Sequence, residues 1–269
     1  MKSEFNYQSD SFDRQSQRFV IPLYVSDELG NFHFSSTATL VFFKGHHYII
    51  FAAHALGDKN NINDVAIFGY DGELIKLSDI SIGYDIFSGD DIVVVDCFNV
   101  RMDGKNYFIL DSKFSLNGFD KHHFSWTGFP SSWCKTKVIH KTKKAETLAN
   151  DNVIEQQDGK YFINAKYFSI VSKIKSFNNI EISGEYNRKK IELKYKGLVS
   201  MGPSPEGMSG GAMYFFANNQ KLKDNIDDTY LFAGIGLEFK SGNVISGISR
   251  HRVLEILNSL DNEVSIDIL

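Results

Sequence analysis

Short apolar runs punctuated by turn residues recur along almost the whole chain. Hardly any segment of its first two hundred residues repeats apolar positions at helical spacing. Runs cover residues 19–25, 37–43, 48–53, 65–68, 80–82, 92–98 and 107–110, separated by turn formers such as Asp27-Glu28-Leu29-Gly30-Asn31 and Lys44-Gly45. A second group starts near His123 and covers 124–126, 137–140, 161–163, 168–171, 191–195, 212–217, 230–238 and 244–245. Regular short strands of this kind predict an antiparallel barrel or sandwich. A doubly wound α/β fold needs a helix between successive strands, and no such helices are visible. The stretches 142–160 and 173–190 are polar and charged and read as long loops or a decorated hairpin. One helix is predicted, over 249–260, where Val253, Ile256, Leu257 and Leu260 share a face and Ser249 is placed to cap it.

Composition removes several classes of function. Hydrophobic residues are 42% and charged residues 23% of the 269, an ordinary globular balance that excludes disorder and coiled coil as the main organisation. The 23 Phe and 12 Tyr favour strands. A net charge of −4 gives no global basic field to recruit nucleic acid. Lys141 to Lys144 and Arg188-Lys189-Lys190 are basic, but they lack the interleaved aromatics of a base-stacking surface and read as solvated loops. Two cysteines make no disulfide framework. Cys97 ends a buried run and Cys134 lacks any nucleophile context, so both read as inert thiols. The polar N-terminus lacks a signal-peptide core, and no window approaches ~18 apolar residues. A cytoplasmic chain with no membrane partner is therefore expected.

Three local patterns carry chemistry. Ala52-Ala53-His54-Ala55 follows an apolar strand. Asp90-Asp91 opens the buried run from Ile92. Gly207-Met208-Ser209-Gly210-Gly211 precedes the run starting at Ala212. A serine hydroxyl needs a base within hydrogen-bond reach to become a nucleophile. An imidazole can take that proton and return it to a leaving amine. A carboxylate on its other nitrogen sets the tautomer and stabilises the imidazolium. Glycines around the serine let the amides of Gly207 and Ser209 converge on one point, as a tetrahedral oxyanion requires.

These patterns, in the chain order His, Asp, Ser, resemble the trypsin-like serine peptidases of the chymotrypsin fold. His54 matches that family's Ala-Ala-His, Asp91 its Asp-Ile-Ala-Leu type strand, and Ser209 its Gly-x-Ser-Gly-Gly. Ser36-Thr37-Ala38 occupies the place of the family's Gly-Thr/Ser-Gly-Phe element. Gly128-Phe129-Pro130 is similar to its Gly-Tyr-Pro turn, and Gly234-Ile235-Gly236 falls on its substrate-flanking strand. The resemblance spans roughly 19–260 and implies two antiparallel six-stranded β-barrels with a C-terminal helix. The arm would be 1–18, the N-terminal barrel with His54 and Asp91 19–118, and the C-terminal barrel with Ser209 and the helix 119–269. It also implies a serine endopeptidase with catalytic His54, Asp91 and Ser209, an oxyanion hole of the Gly207 and Ser209 amides, and a polypeptide substrate paired along Gly234, Ile235 and Gly236. No cofactor and no metal are implied.

Departures from the family matter as much. Met208 stands where secreted members carry an Asp that pairs with a newly cut N-terminus, and Arg18-Phe19-Val20-Ile21 lacks the paired glycines of an activation site. Activation by cleavage is thus not expected; the site is either constitutive or ordered by a ligand or a regulatory protein partner. Met201 to Glu206 hold no acid at the usual pocket floor, so a preference for Arg or Lys is not implied. A fold retained only as a peptide-binding or regulatory module is the alternative.

An α/β-hydrolase elbow would need His251 as base with Asp228 or Glu238, and a helix after Ser209, where the chain instead reads as strand. His46-His47 and His122-His123 lack further ligands at metal spacing and read as loop histidines. Whether Asp90 or Asp91 orients His54 is left open by the residues alone.

Overall fold

The computed structural model describes residues 15–264, apart from 60, 70–71, 135–137, 143, 145–146, 148–152, 157–158, 163–164 and 196–197. The first half builds β1 (Val20–Ser26), β2 (Phe32–Phe43), β3 (His46–Ala52), β4 (Val65–Phe68), β5 (Leu74–Lys76), β6 (Gly83–Phe87), β7 (Ile92–Asp96) and β8 (Phe108–Ile109). The second half builds β9 (His123–Gly128), β10 (Val138–Ile139), β11 (Val153–Gln156), β12 (Gly159–Phe162), β13 (Phe168–Phe177), β14 (Glu181–Glu185) and β15 (Glu192–Tyr195). It continues with β16 (Leu198–Met201), β17 (Gly211–Phe216), β18 (Tyr230–Lys240) and β19 (Val244–Ser249), and ends in the helix Arg250–Val264. Strands β13-β14-β19-β18-β17-β9 close into a six-stranded barrel. The first sheet runs β5-β4-β1-β2-β3-β7-β6, with β8 and β10 both attached to β2, and curls without closing. This is the double-barrel architecture of the chymotrypsin fold, with its first half left as an open half-barrel. Among the described residues no helix is long and apolar enough to cross a membrane.

Side-chain alternation explains why the central strands read as unbroken apolar runs. In β2, β3 and β7, Ala38, Leu40, Ile49, Phe51, Val93 and Val95 turn into the core of the first sheet. Their neighbours Val41, Tyr48, Ile50, Ala52, Ile92 and Val94 turn the other way, into a core shared with Ala212, Tyr214, Phe232 and the helix residues Val253, Ile256 and Leu257. Successive residues of a strand face opposite sides, so a strand between two cores must be apolar throughout. Each large side chain buried in this way contributes about 1.5–3 kcal/mol. The shared core welds the halves together. The closed barrel has its own core, including Phe124, Trp126, Ile170, Ile182, Met213 and Phe215.

One expectation needs correction, and three others gain detail. Residues 80–82 are not a strand: Leu77–Ile80 is a helical turn, Ile82 is 68% exposed, and the edge strand β6 follows. The charged stretch 173–190 is the hairpin of the two alternatives, with β13 and β14 antiparallel across a short turn. It holds the end of β13 and all of β14, two staves of the barrel. Ile170 and Ser172 point inward there while Lys173 faces solvent, so the lysines sit on the outer face of a strand. Val138–Ile139 lies beyond the expected division at 118, yet it pairs with His33 and Phe32 of the first sheet. Finally, the described end of the N-terminal arm is packed down. Ser16 is 1% exposed with its hydroxyl 3.3 Å from Thr127 Oγ1, and Lys105 Nζ donates to Val20 O at 2.9 Å.

Candidate active site

Register brings the first two candidates together. β3 and β7 are antiparallel, with Ala52 opposite Ile92, so the residue after one strand meets the residue before the other. The ladder continues as Ala53 N–H donates to Asp91 O at 2.9 Å. The Asp91 carboxylate then takes two hydrogen bonds from one residue: His54 N–H donates to Oδ1 (2.9 Å) and His54 Nδ1–H donates to Oδ2 (2.6 Å). A carboxylate only accepts, so Nδ1 carries the hydrogen and neutral His54 keeps its lone pair on Nε2. Asp91 itself lies in the left-handed region, at φ 55° and ψ 42°. Such backbone is uncommon outside glycine and gathers at functional sites. The His54 side chain is 52% exposed and that of Asp91 36%, so the pair opens to solvent.

Asp90, the rival acid, is committed elsewhere. Arg252 of the C-terminal helix grips both its oxygens, Nε to Oδ1 at 2.9 Å and Nη2 to Oδ2 at 2.7 Å. The fork geometry matches the carboxylate, and together with Glu255 it holds the Arg252 guanidinium charged far above the ordinary pH range. Of the two adjacent acids, Asp91 is the one that orients His54.

The Ser209 turn comes from the other half and crosses the cleft. Its carbonyls are gripped by β2: Thr37 N–H donates to Ser209 O (3.1 Å), Thr37 Oγ1–H to Gly207 O (2.8 Å) and Thr39 Oγ1–H to Gly210 O (2.7 Å). Gly210, at φ +83°, approaches so closely that a Cβ there would lie 2.1 Å from Thr37 O and 3.0 Å from Phe51 Cα, at the end of the strand that leads to His54. Gly207, at φ +89°, has Phe129 O and Ser131 N at 2.9 Å from the same construction. Glycine is required at both positions, by the conformation and by the space. Met208 is fully buried in the closed barrel's core, so an apolar anchor holds the turn where an ion pair would be needed for an Asp.

Two features of the turn bear on chemistry. The amides of Gly207 and Ser209 meet no acceptor among the described residues, while the intervening Met208 N–H donates to Pro205 O (2.8 Å). Glu206 O accepts from Ser131 N–H (2.8 Å), and since a trans peptide points its N–H away from its C=O, Gly207 N–H faces the opposite side. The Ser209 hydroxyl, in contrast, donates to Leu237 O at 2.7 Å and makes no hydrogen bond to His54. The histidine and acid are thus joined, and the serine turn packs against the end of the strand that leads to His54, with the serine hydroxyl turned to a carbonyl.

Gly234, Ile235 and Gly236 lie inside the barrel wall. Each is paired on both edges, for example Gly236 with Gly211 of β17 and Gly247 of β19, so this backbone has no free edge for a substrate. The free edge starts one residue later. Among the described residues Glu238, Phe239 and Lys240 pair only with β19, and Leu237 sits at a bulge in that ladder. The other candidates resolve without chemistry. Ser209 leads into strand β17 and not a helix, and His251 Nε2 is 3.2 Å from Glu255 on the C-terminal helix. His46 pairs with Asp96 and His123 with Asp120. No cluster of three or more His, Cys, Asp or Glu suited to a metal occurs among the described residues. Cys97 and Cys134 are buried and not disulfide-bonded to each other, with burial pushing the Cys97 thiol up to about 12. Of the basic stretches, Arg188–Lys190 is a short helical turn with Lys189 and Lys190 exposed and Arg188 Nε–H donating to Gly202 O at 3.1 Å, and Lys143 lies outside the described residues.

Sequence reasoning missed the roles of Thr37 and Thr39, whose hydroxyls alternate on one face of β2 and are both fully buried. It had no means of finding Leu237, whose contribution is a main-chain carbonyl.

No family model matches the sequence, and no curated relative matches it. Among solved structures the chain is similar to the serine endoprotease from Yersinia pestis, with a TM-score of 0.51 at 10% sequence identity, covering 96% of this chain and 68% of that one. At that identity the likeness shows a protease-like fold and nothing finer.

Proposed function

We propose that the chain is a serine endopeptidase working through Ser209, His54 and Asp91 and an acyl-enzyme. The observation that carries this reading is the double hydrogen bond from His54 to Asp91, opposite a glycine turn that holds Ser209 beside two open amides. In the proposed reaction an extended polypeptide adds to the free edge at Leu237–Lys240, the strand-addition mode of recognition. Ser209 turns about χ1 from Leu237 O into another staggered well. His54 Nε2 takes the hydroxyl proton as Oγ bonds to the carbonyl carbon. The Gly207 and Ser209 amides hold the oxyanion, and Asp91 stabilises the imidazolium. The C–N bond breaks as His54 returns the proton to the leaving amine, and water repeats the cycle to free the acyl product.

Control by a ligand or protein partner, and not by zymogen cleavage, completes the proposal. Its support is the apolar anchor Met208 and the resting hydrogen bond of Ser209, a minor rearrangement from the reactive state that binding energy can shift. That same hydrogen bond favours a second reading, a catalytically silent or weak fold that binds peptide along the Leu237 edge. A fluorophosphonate probe with Ser209→Ala as control separates them, followed by proteome-wide cleavage assays with and without cell extract. Labelling and cuts that vanish in Ser209→Ala support the peptidase. Labelling that persists in the variant refutes Ser209 as nucleophile, and absence of Ser209-dependent cuts under both conditions leaves the binding module.

A further inference from the structure

The turn that carries Ser209 does not fold by itself: two of the four carbonyls over 207–210 accept hydrogen bonds from Thr37, one from its side chain and one from its backbone. The Thr37 hydroxyl is used in both directions. It donates to Gly207 O at 2.8 Å and accepts from Phe129 N–H at 2.9 Å. Thr37 is completely buried, so no water replaces it at either partner. Planarity passes this constraint along the chain, because fixing the Gly207 carbonyl fixes the whole Gly207–Met208 peptide plane. Ser131 N–H fixes the preceding plane through Glu206 O. Gly207, at φ +89° and free of a Cβ, is the joint between the two planes and the residue most able to turn if either hold is lost. Its own N–H is one of the two open donors beside Ser209.

We propose that the Thr37 hydroxyl is a positioning residue for the oxyanion site: a latch reaching from the first half of the molecule to aim the Gly207 and Ser209 amides. This rests on the peptidase reading above. It makes the reaction competence of the second barrel depend on a side chain of the first, and it gives a fully buried hydroxyl a partner on each side. Thr39 serves as the internal comparison. It donates to Gly210 O, on the far side of Ser209, and touches neither plane around Gly207.

The test measures the second-order rate of fluorophosphonate labelling, its pH profile and the melting midpoint for the full chain and for Thr37→Val, Thr37→Ser, Thr39→Val and Ser209→Ala. Loss of one oxyanion donor slows acyl transfer ~10²–10³-fold. Thr37→Val is expected to slow labelling by about that range with the pH midpoint unmoved. Thr37→Ser, which keeps the hydroxyl, is expected to recover most of the rate, and Thr39→Val to lose much less at a similar melting midpoint. Wild-type rates in Thr37→Val overturn the latch while leaving the nucleophile in place. Equal losses in Thr37→Val and Thr39→Val also overturn it, since general loosening then accounts for both. If Thr37→Val does not fold, Thr37→Ala replaces it in the same comparison. Absence of Ser209-dependent labelling in the unmodified chain overturns the peptidase reading and the latch with it.

Discussion

Replacing Gly210 with Ala tests the contact on which the whole cleft depends. A methyl group there lies 2.1 Å from Thr37 O, short by about 1.3 Å of the 3.4 Å at which ordinary contact begins. The obstacles are main chain, Thr37 O and the backbone of Phe51 and Ala52, so no side-chain rotation relieves the clash. The turn must retreat, and a retreat of that size takes the bonds from Thr37 N to Ser209 O and from Thr39 Oγ1 to Gly210 O out of range. Each such bond contributes about 1 kcal/mol net. Holding alanine at φ +83° adds about 1–2 kcal/mol. Gly210→Ala should therefore lower stability by about 3–4 kcal/mol. Gly45→Ala supplies the conformational part alone, because Gly45 has φ +86° and nothing within 4 Å of an added Cβ. Urea unfolding of both variants, with midpoints compared at unchanged slope, measures the difference. If Gly210→Ala costs no more than Gly45→Ala, the close approach of the two halves at Ser209 is wrong.

Three further outcomes are expected. Asp91→Asn should cut Ser209-dependent hydrolysis ~10⁴-fold by favouring the wrong imidazole tautomer, while melting shifts little because the pair is half exposed; kinetics within tenfold of the parent would remove Asp91 from the triad. Asp90→Ala should leave the pH dependence of labelling unchanged and act only on the docking of the C-terminal helix through Arg252, read by hydrogen exchange of residues 250–260; a shifted pH midpoint would mean the two acids share the role. Stability should fall as pH rises from about 9 towards 12. Burial lifts the Cys97 thiol from 9.0 to about 12, so the unfolded chain loses that proton first, and the group's stabilising share, complete below pH 9, is lost through the folded value. Cys97→Ala should flatten that alkaline decline in urea midpoints, and an equal slope in both proteins would refute the assignment.

Much of the site was legible in the primary structure because its chemistry needs particular side chains in particular local settings. His54 at the end of an apolar run, Asp91 at the start of another, and Ser209 among glycines are each written locally. The same locality accounts for the two groups of strands and the C-terminal helix, whose spacing is a short-range property. The lysines of β13 left the stretch 173–190 open between loop and hairpin, since alternation with Ile170 and Ser172 was too short to stand out.

Tertiary structure alone decided which neighbouring acid serves the histidine. Asp90 and Asp91 are chemically identical, and only the arrival of Arg252, 162 positions further along, takes one and leaves the other. It decided, too, that Ser209 rests on Leu237 O, that the open edge begins at Leu237, and that Thr37 grips the turn from across the cleft. Main-chain donors and acceptors are the same in every residue, so their partners depend on which strands end up adjacent. That choice belongs to the packed molecule and leaves no mark on the order of its amino acids.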